Sequence, residues 1–246
     1  MVRLLLLTLL AGCGRIAFAP AAGDPSGQAD APVAPTWTLV QTTTSTGSTL
    51  TIAPSGAQHL IIVAVQIANA GSVISITDNP PDNNAAALDD SNAYVAIPAA
   101  RATNTSPSDA LELWYANNSR PGATAISIAA TTTVIAAMAW EVSGLRAVDP
   151  LDAASPLNAQ PATATPQGPR ITTSTGGEFV VSVAIVANGV SGTSAGNEFT
   201  NDYRTKGNGW AHLTDPMAAA GSHQAQWDQT ISGTYCASAA AFLAGP

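Results

Sequence analysis

The sequence has little charge, a single lysine and few aromatic rings. Charged residues make up 10% of the 246 residues and aromatic residues 5%, whereas about 25% of an average soluble domain is charged. The 16 acidic residues outnumber the eight lysines and arginines, so the net charge is −8. Clustered basic side chains are therefore missing, which argues against nucleic acid as a partner and against electrostatic binding to anionic lipid.

Cysteine and long apolar runs are also scarce. The first apolar run, Leu4 to Leu10, is interrupted by Thr8 and is far shorter than the roughly 20 residues that span a bilayer. Arg3 precedes this run, and the small pair Ala11-Gly12 separates it from Cys13. A basic start, an apolar run and small residues before a cysteine resemble the bacterial lipoprotein signal.

This resemblance implies an address and an anchor. Residues 1–12 are then a signal peptide, the thiol of Cys13 carries a diacylglycerol, and the protein is exported to the cell envelope. Gly14 stands where an aspartate retains enteric lipoproteins in the inner membrane, so the resemblance implies the outer membrane. The alternative is an ordinary secretory signal, cleaved near Ala17-Phe18-Ala19, in which Cys13 has no role. With Cys13 acylated, Cys236 is the remaining cysteine and no intramolecular disulfide is expected.

Residues 13–36 and 37–246 differ in composition. The first segment is rich in Ala, Pro and Gly without apolar periodicity, which predicts a flexible tether behind the lipid. From Trp37 onward, short apolar or alternating runs are separated by Gly, Asn, Pro, Asp and Ser, a pattern typical of all-β folds. We predict one domain over 37–246, an antiparallel β-sandwich of two sheets and about eleven strands, jelly-roll or Ig-like in its connections.

Several segments of this domain give more specific expectations. His59 to Ala68 is apolar on both faces, which predicts a central strand covered on both sides. Thr124 to Ala129 and Thr133 to Val142 alternate and lie close together, which favours a hairpin. Val148 to Gly168 has no periodicity and predicts a surface crossover. The more polar runs Trp210 to Thr214 and Gln224 to Gln229 are expected to pair.

Three short motifs point in the same direction. Leu113-Trp114-Tyr115-Ala116-Asn117, Trp140-Glu141-Val142-Ser143-Gly144 and Asp149-Pro150-Leu151-Asp152 follow one another along the chain. In this order they resemble a group of bacterial secreted β-sandwich modules that are poorly characterised. The resemblance extends over roughly residues 37–244 and implies an exported module with a binding or scaffold role, but it implies no catalytic residues.

Few residues are candidates for catalysis. Glycosidases use two carboxylates about 5–9.5 Å apart, and Glu112 and Glu141 are the pair that neighbouring strands could bring together. No G-x-S-x-G nucleophile motif occurs, and the three histidines match no zinc spacing. His212 with Tyr203 is a second catalytic candidate. A jelly-roll glycoside hydrolase or lyase therefore stays open as an alternative to a protein without enzymatic activity.

Acidic and amide side chains are concentrated between the fourth and fifth predicted strands. Asp78, Asp82, Asp89 and Asp90 lie there among several asparagines. Such hard oxygen ligands are those that Ca²⁺ prefers, so a calcium site is a candidate. Asp and Asn also form ordinary turns through side-chain hydrogen bonds, which is the structural alternative.

Aromatic and polar residues occur together in the last quarter of the chain. Tyr203, Trp210, His212 and Trp227 stand among asparagines, aspartates and glutamines. An exposed ring that stacks on a sugar, with amides that bind its hydroxyls, is a common arrangement in glycan recognition. The alternative is that these rings cover the edge of the sandwich.

Taken together, the sequence favours an exported, lipid-anchored envelope protein. Its β-sandwich is expected to bind a glycan or another envelope protein without catalysing a reaction. A glycoside hydrolase or lyase and a purely structural envelope protein are the alternatives.

Overall fold

The computed structural model describes residues 37–79, 91–106, 108–203 and 205–246, so Cys13 and the tether lie outside the described residues. Within these ranges the protein contains strands, turns and two short 3₁₀ turns, Pro98–Ala100 and Thr205–Gly207, but no α-helix. No helical segment in these ranges is long and apolar enough to cross a bilayer. The all-β prediction is confirmed. Two sheets of about eleven strands are not observed, because the described residues form 18 strands in five antiparallel sheets.

The first nine strands form one lobe. They are β1 (Thr38–Ser45), β2 (Thr49–Thr51), β3 (Leu60–Ala68), β4 (Val73–Asp78), β5 (Val95–Ala96), β6 (Ala102–Thr103), β7 (Asp109–Ala116), β8 (Ala125–Ala130) and β9 (Val134–Ser143).

The remaining nine strands form a second lobe. They are β10 (Leu151–Thr163), β11 (Ile171–Thr172), β12 (Phe179–Val186), β13 (Val190–Thr193), β14 (Phe199–Tyr203), β15 (Gly209–Leu213), β16 (Ser222–His223), β17 (Trp227–Gln229) and β18 (Gly233–Phe242).

Both lobes repeat one strand arrangement. The large sheet of the first lobe has the order β1-β9-β3-β7-β5, and that of the second has the order β10-β18-β12-β15-β14. The smaller sheets also correspond, because β8 pairs with β2 and β4 while β16 and β17 pair with β11 and β13. The central strands begin alike: Leu60, first in β3, pairs with Val142 near the end of β9, and Phe179, first in β12, pairs with Phe242 at the end of β18. The chain therefore folds as two copies of one arrangement.

Three apolar clusters hold the four layers of strands together. The inter-lobe cluster, formed by the facing large sheets, contains Trp37, Trp140, Phe179, Trp210 and Phe242. The other two clusters fill the space between the large and small sheets of each lobe. Residues of β3 alternate between the inter-lobe cluster and the interior of the first lobe. The predicted central strand covered on both faces is thus confirmed.

Side-chain hydrogen bonds also join the lobes, near both ends of β12. Near the ends of β3 and β12, Asn208 Nδ2 donates to Gln66 Oε1 at 2.6 Å, and Gln66 Nε2 donates to Asp109 Oδ2 at 2.7 Å. At the other end of β12, the Trp140 Nε1 of the first lobe donates to Asp202 Oδ2 of the second at 2.7 Å. Because buried polar groups need partners, these bonds fix how the two large sheets face each other.

Three strand predictions are wrong. The segments expected to form a hairpin belong to different sheets, because β8 pairs with β2 and β4 whereas β9 pairs with β1 and β3. Similarly, β15 and β17 pair with other strands rather than with each other. The expected crossover contains β10, an edge strand paired with β18. Three register shifts interrupt this pairing, and bulges remove the alternation on which a strand prediction relies; an edge strand also tolerates its prolines.

Close contact between Gly209 and Trp227 gives a stability prediction. A Cβ atom at Gly209 would lie 2.5 Å from Nε1 of the buried indole. We expect Gly209→Ala to lower the free energy of unfolding by about 1–3 kcal/mol, the usual effect of overpacking. Gly221→Ala is the matched control, because a Cβ there meets nothing within 4 Å. Urea unfolding measures both, and equal stability of the two variants would contradict the expectation.

Candidate functional site

A groove of about 1030 Å³ opens between β13 and β14 in the second lobe. It exists because β13 pairs with β17 and β14 with β15, so these two strands are not hydrogen-bonded to each other. Hydroxyl and amide side chains line most of it, including Thr193, Asn197, Thr200, Asn201 and Thr214. We call it the β13–β14 groove.

Tyr203 and Asn201 give the groove its binding character. Tyr203 ends β14 with half of its surface exposed, 51%, and a register shift lies between the two residues. Asn201 Nδ2 donates to the Tyr203 carbonyl at 3.1 Å, which orients the amide. Its Oδ1 is buried and accepts no hydrogen bond from the described residues. The site thus offers the exposed aromatic face of Tyr203 beside an oriented amide and the hydroxyl side chains of the groove walls.

Asp202, which also lines the groove, contacts the imidazole of His212. Asp202 Oδ1 lies 2.7 Å from Nδ1 of His212, and both side chains are at least nine-tenths buried. The imidazole stacks on Phe179 with centroids 5.7 Å apart and contacts Trp37 edge to face at 5.9 Å. With Oδ2 bound to Trp140, both carboxylate oxygens of Asp202 have partners. These contacts fix the orientation of the His212 imidazole and of the Asp202 carboxylate.

The structure separates the four predicted binding residues. Tyr203 lines the groove and is exposed, whereas His212 is buried and is not one of the described residues that line it. Trp210 and Trp227 are fully buried, so the exposed pair of tryptophan rings that the sequence suggested is not formed. Trp210 belongs to the inter-lobe cluster and Trp227 to the interior of the second lobe. Cores built largely from alanine and valine leave room for these large rings, whatever the polarity of their sequence neighbours.

Sequence reasoning missed the β13 side of the groove. Ser191, Gly192 and Thr193 line it, but a short polar run of this kind carries no chemical signature. The histidine partners were equally hidden. His59, His212 and His223 each contact a carboxylate through Nδ1, across 82, 10 and 25 positions of sequence.

Of the four predicted calcium ligands, only Asp78 is among the described residues. Its Oδ1 accepts the Asn92 backbone N–H at 2.9 Å, and its Oδ2 accepts Asn92 Nδ2 at 2.5 Å and the Tyr94 hydroxyl at 3.2 Å. Burial, followed by the charge of Asp78, raises the pKa of Tyr94. Asp82, Asp89 and Asp90 lie outside the described residues. Within the described residues, no three acidic, histidine or cysteine side chains are grouped as metal ligands.

Glu112 and Glu141 do not form a pair. Both lie beside β3, but Glu112 is level with Val65 and Glu141 with Ile61, on opposite sides of that strand. Ordinary strand spacing places their Cα atoms about 16 Å apart. Glu112 contacts Arg101 Nε at 3.2 Å and accepts Trp114 Nε1 at 3.2 Å, whereas Glu141 lies 2.7 Å from His59 Nδ1. Each carboxylate is therefore occupied by its own local partners.

Comparison with other proteins leaves the site to be interpreted from its own chemistry. No family model matches the chain, and no curated protein or solved structure is significantly similar to it.

Proposed function

We propose that this protein is a lipid-anchored module of the bacterial envelope that binds a glycan in the β13–β14 groove without catalysing a reaction. In this proposal Cys13 carries the lipid, residues 13–36 are the tether, and the outer membrane is the destination. Each lobe is a jelly roll of eight strands when β5 and β6 are counted as one strand, and likewise β16 and β17. In this numbering, strands 1-8-3-6 form the large sheet and strand 7 pairs with strands 2 and 4. The groove opens because strand 5 of the second lobe, β14, pairs with strand 6, β15, and not with strand 4, β13.

The observation that carries the proposal is the exposed ring of Tyr203 beside polar groups that can bind hydroxyls. A sugar ring has apolar C–H faces and hydroxyl edges, and the groove volume of about 1030 Å³ lies just above the usual range of ligand sites, about 300–1,000 Å³. Tyr203 offers the face, and the hydroxyl and amide side chains that line the walls offer partners for the sugar hydroxyls. A binding protein of the envelope is consistent with a body of weak charge.

Removing the Tyr203 ring tests the proposal. We expect Tyr203→Ala to weaken glycan binding about tenfold, or about 1.4 kcal/mol, the upper range for one aromatic contact. Tyr203→Phe keeps the ring and should retain binding. The measurement is an array of cell-wall and capsular oligosaccharides, followed by calorimetry on each hit with the mature protein in detergent.

Met217→Ala is the matched control, because Met217 is as exposed as Tyr203, 51%, and does not line the groove. Wild-type protein that binds no glycan on the array would refute glycan recognition. Unchanged binding by Tyr203→Ala would show that the ligand binds outside the groove. If the wild type binds no glycan but self-assembles in solution, the structural alternative is favoured.

The Asp202–His212 contact supports a second proposal, a glycoside hydrolase or lyase acting in the same groove. An imidazole whose Nδ1 is held by a carboxylate is the usual arrangement of a general base. Turnover of a bound oligosaccharide by wild-type protein, lost in His212→Gln with binding retained, would establish it. Release of no product from any ligand that binds would reject it.

A further inference from the structure

Two carboxyl groups lie side by side at one end of the second lobe. Asp152 is the second residue of β10, and its oxygens accept the backbone N–H of Ser174 at 2.8 Å and its hydroxyl at 2.7 Å. Glu178, immediately before β12, accepts the Thr175 N–H at 2.8 Å and the Thr175 hydroxyl at 3.1 Å, both through Oε1. Because Ser174 and Thr175 are consecutive, these bonds hold the two carboxyl groups close together.

Glu178 has one oxygen without a partner. The residue is 1% exposed, and Oε2 is buried and accepts no hydrogen bond from the described residues. An ionised oxygen in that position is strongly disfavoured, since it loses water and gains no donor. Among the described residues Asp152 is the charged neighbour, and it repels a second negative charge. No described lysine, arginine or histidine forms an ion pair with either group.

We propose that Glu178 and Asp152 share one proton, which Glu178 Oε2 carries and donates to Asp152. Both oxygens of Asp152 already accept hydrogen bonds from Ser174, so Asp152 serves as the acceptor of the pair. A proton on Oε2 supplies the donor that this buried atom otherwise lacks. Paired carboxyl groups that hold a single proton are known in other proteins.

The shared proton is a brace whose strength depends on pH. It ties the beginning of β10 to the beginning of β12, and Glu178 directly precedes Phe179, on which His212 stacks. Burial raises the pKa of Glu178, the bonds from Thr175 oppose this effect, and the charge of Asp152 adds to it. The carboxyl group of Glu178 is therefore more easily kept protonated in the folded protein than in the unfolded chain.

The sign of the pH effect follows from this difference. Because the folded-state pKa is raised, the contribution is complete below the ordinary glutamate value, about 4.3, and is lost as pH rises through the raised value. Between the two values this pair should raise the unfolding equilibrium constant by up to about tenfold per pH unit. Glu178→Gln, which keeps the donor but cannot ionise, should remove this component.

The experiment combines urea unfolding between pH 4 and pH 9 with carbon NMR of the glutamate carboxyl groups in the full-length mature protein. We expect Glu178 to titrate above the ordinary glutamate range, and Asp152→Asn to return it toward that range. Asp228→Asn is the control, because Asp228 Oδ1 accepts a hydrogen bond from the Ser194 hydroxyl and forms no ion pair with the described residues. Its profile should keep the wild-type pH dependence.

Three results would overturn the proposal. Glu178 could titrate in the ordinary range in wild-type protein, a measurement that needs no variant to fold. The wild type and Glu178→Gln could show the same dependence of stability on pH. Alternatively, Ca²⁺ could raise the unfolding midpoint of the wild type but not of Glu178→Gln, which would assign the pair to a cation. None of these results depends on the glycan proposal.

Discussion

Trp210→Ala should lower the free energy of unfolding by about 3–5 kcal/mol, the range for removing a large aromatic side chain from a core. Trp210 is fully buried in the cluster that joins the two lobes. Its loss leaves a cavity between two sheets that are held apart by other rings, including Trp140 and Phe242, so the site cannot collapse easily. A domain is stable by only about 5–15 kcal/mol, which makes this a large fraction of the total.

Trp210→Phe separates the volume of the ring from its polar group. The indole Nε1 is buried without an acceptor, so phenylalanine removes an unsatisfied donor together with some volume, and we expect a smaller loss than for alanine. Tyr203→Ala, at an exposed position, should leave stability nearly unchanged. Urea unfolding followed by circular dichroism gives all three values. A loss below about 1 kcal/mol for Trp210→Ala would contradict the packing described here.

The position of Trp210 between the lobes also affects how cooperatively the protein unfolds. The inter-lobe cluster contains residues of both large sheets, and the Asn208–Gln66–Asp109 hydrogen bonds cross the same boundary. The two lobes should therefore unfold in one transition rather than two. Trp210→Ala weakens the contact between the lobes, so a second unfolding step is expected to emerge first in this variant.

Strand β3 was predictable because its own residues determine its environment. Leu60, Ile62 and Ala64 alternate with a second apolar set, so a central strand covered on both faces follows from the sequence. The partners of β8 and β9 did not follow, because each is paired with strands far away in sequence. Proximity along the chain favours a hairpin, whereas this arrangement sends consecutive strands to opposite sheets.

The candidate site was predictable only in part, and for a related reason. Tyr203 was identified from its polar surroundings and is exposed. Similar polar surroundings suggested that Trp210 is exposed, which is wrong. Alternate residues of β15 face opposite sides of the sheet, and the side chain of Trp210 packs in the inter-lobe cluster. The groove itself arises because β13 and β14 belong to different sheets. Neither composition nor periodicity indicates that two consecutive strands such as β13 and β14 do not pair.

Cys13→Ser should abolish incorporation of a fatty-acid analogue and prevent formation of the mature protein. The reason is chemical: acylation of a lipoprotein forms a thioether, which serine cannot provide. No alternative anchor is evident from composition, because the net charge is −8 and basic residues are few. The expected result is all-or-none for the label, and unprocessed precursor should accumulate, since cleavage at the lipoprotein signal follows acylation.

Cys236→Ala is the matched control for this experiment. Cys236 is fully buried in the inter-lobe cluster, and burial, with a smaller effect of Asp109, raises the pKa of its thiol to about 12. A thiol that is protonated and inaccessible does not react under physiological conditions, so labelling should be unaffected in this variant. Equal labelling of wild type and Cys13→Ser would refute the lipid anchor. The glycan proposal would still be testable as described, because it rests on the β13–β14 groove and not on Cys13.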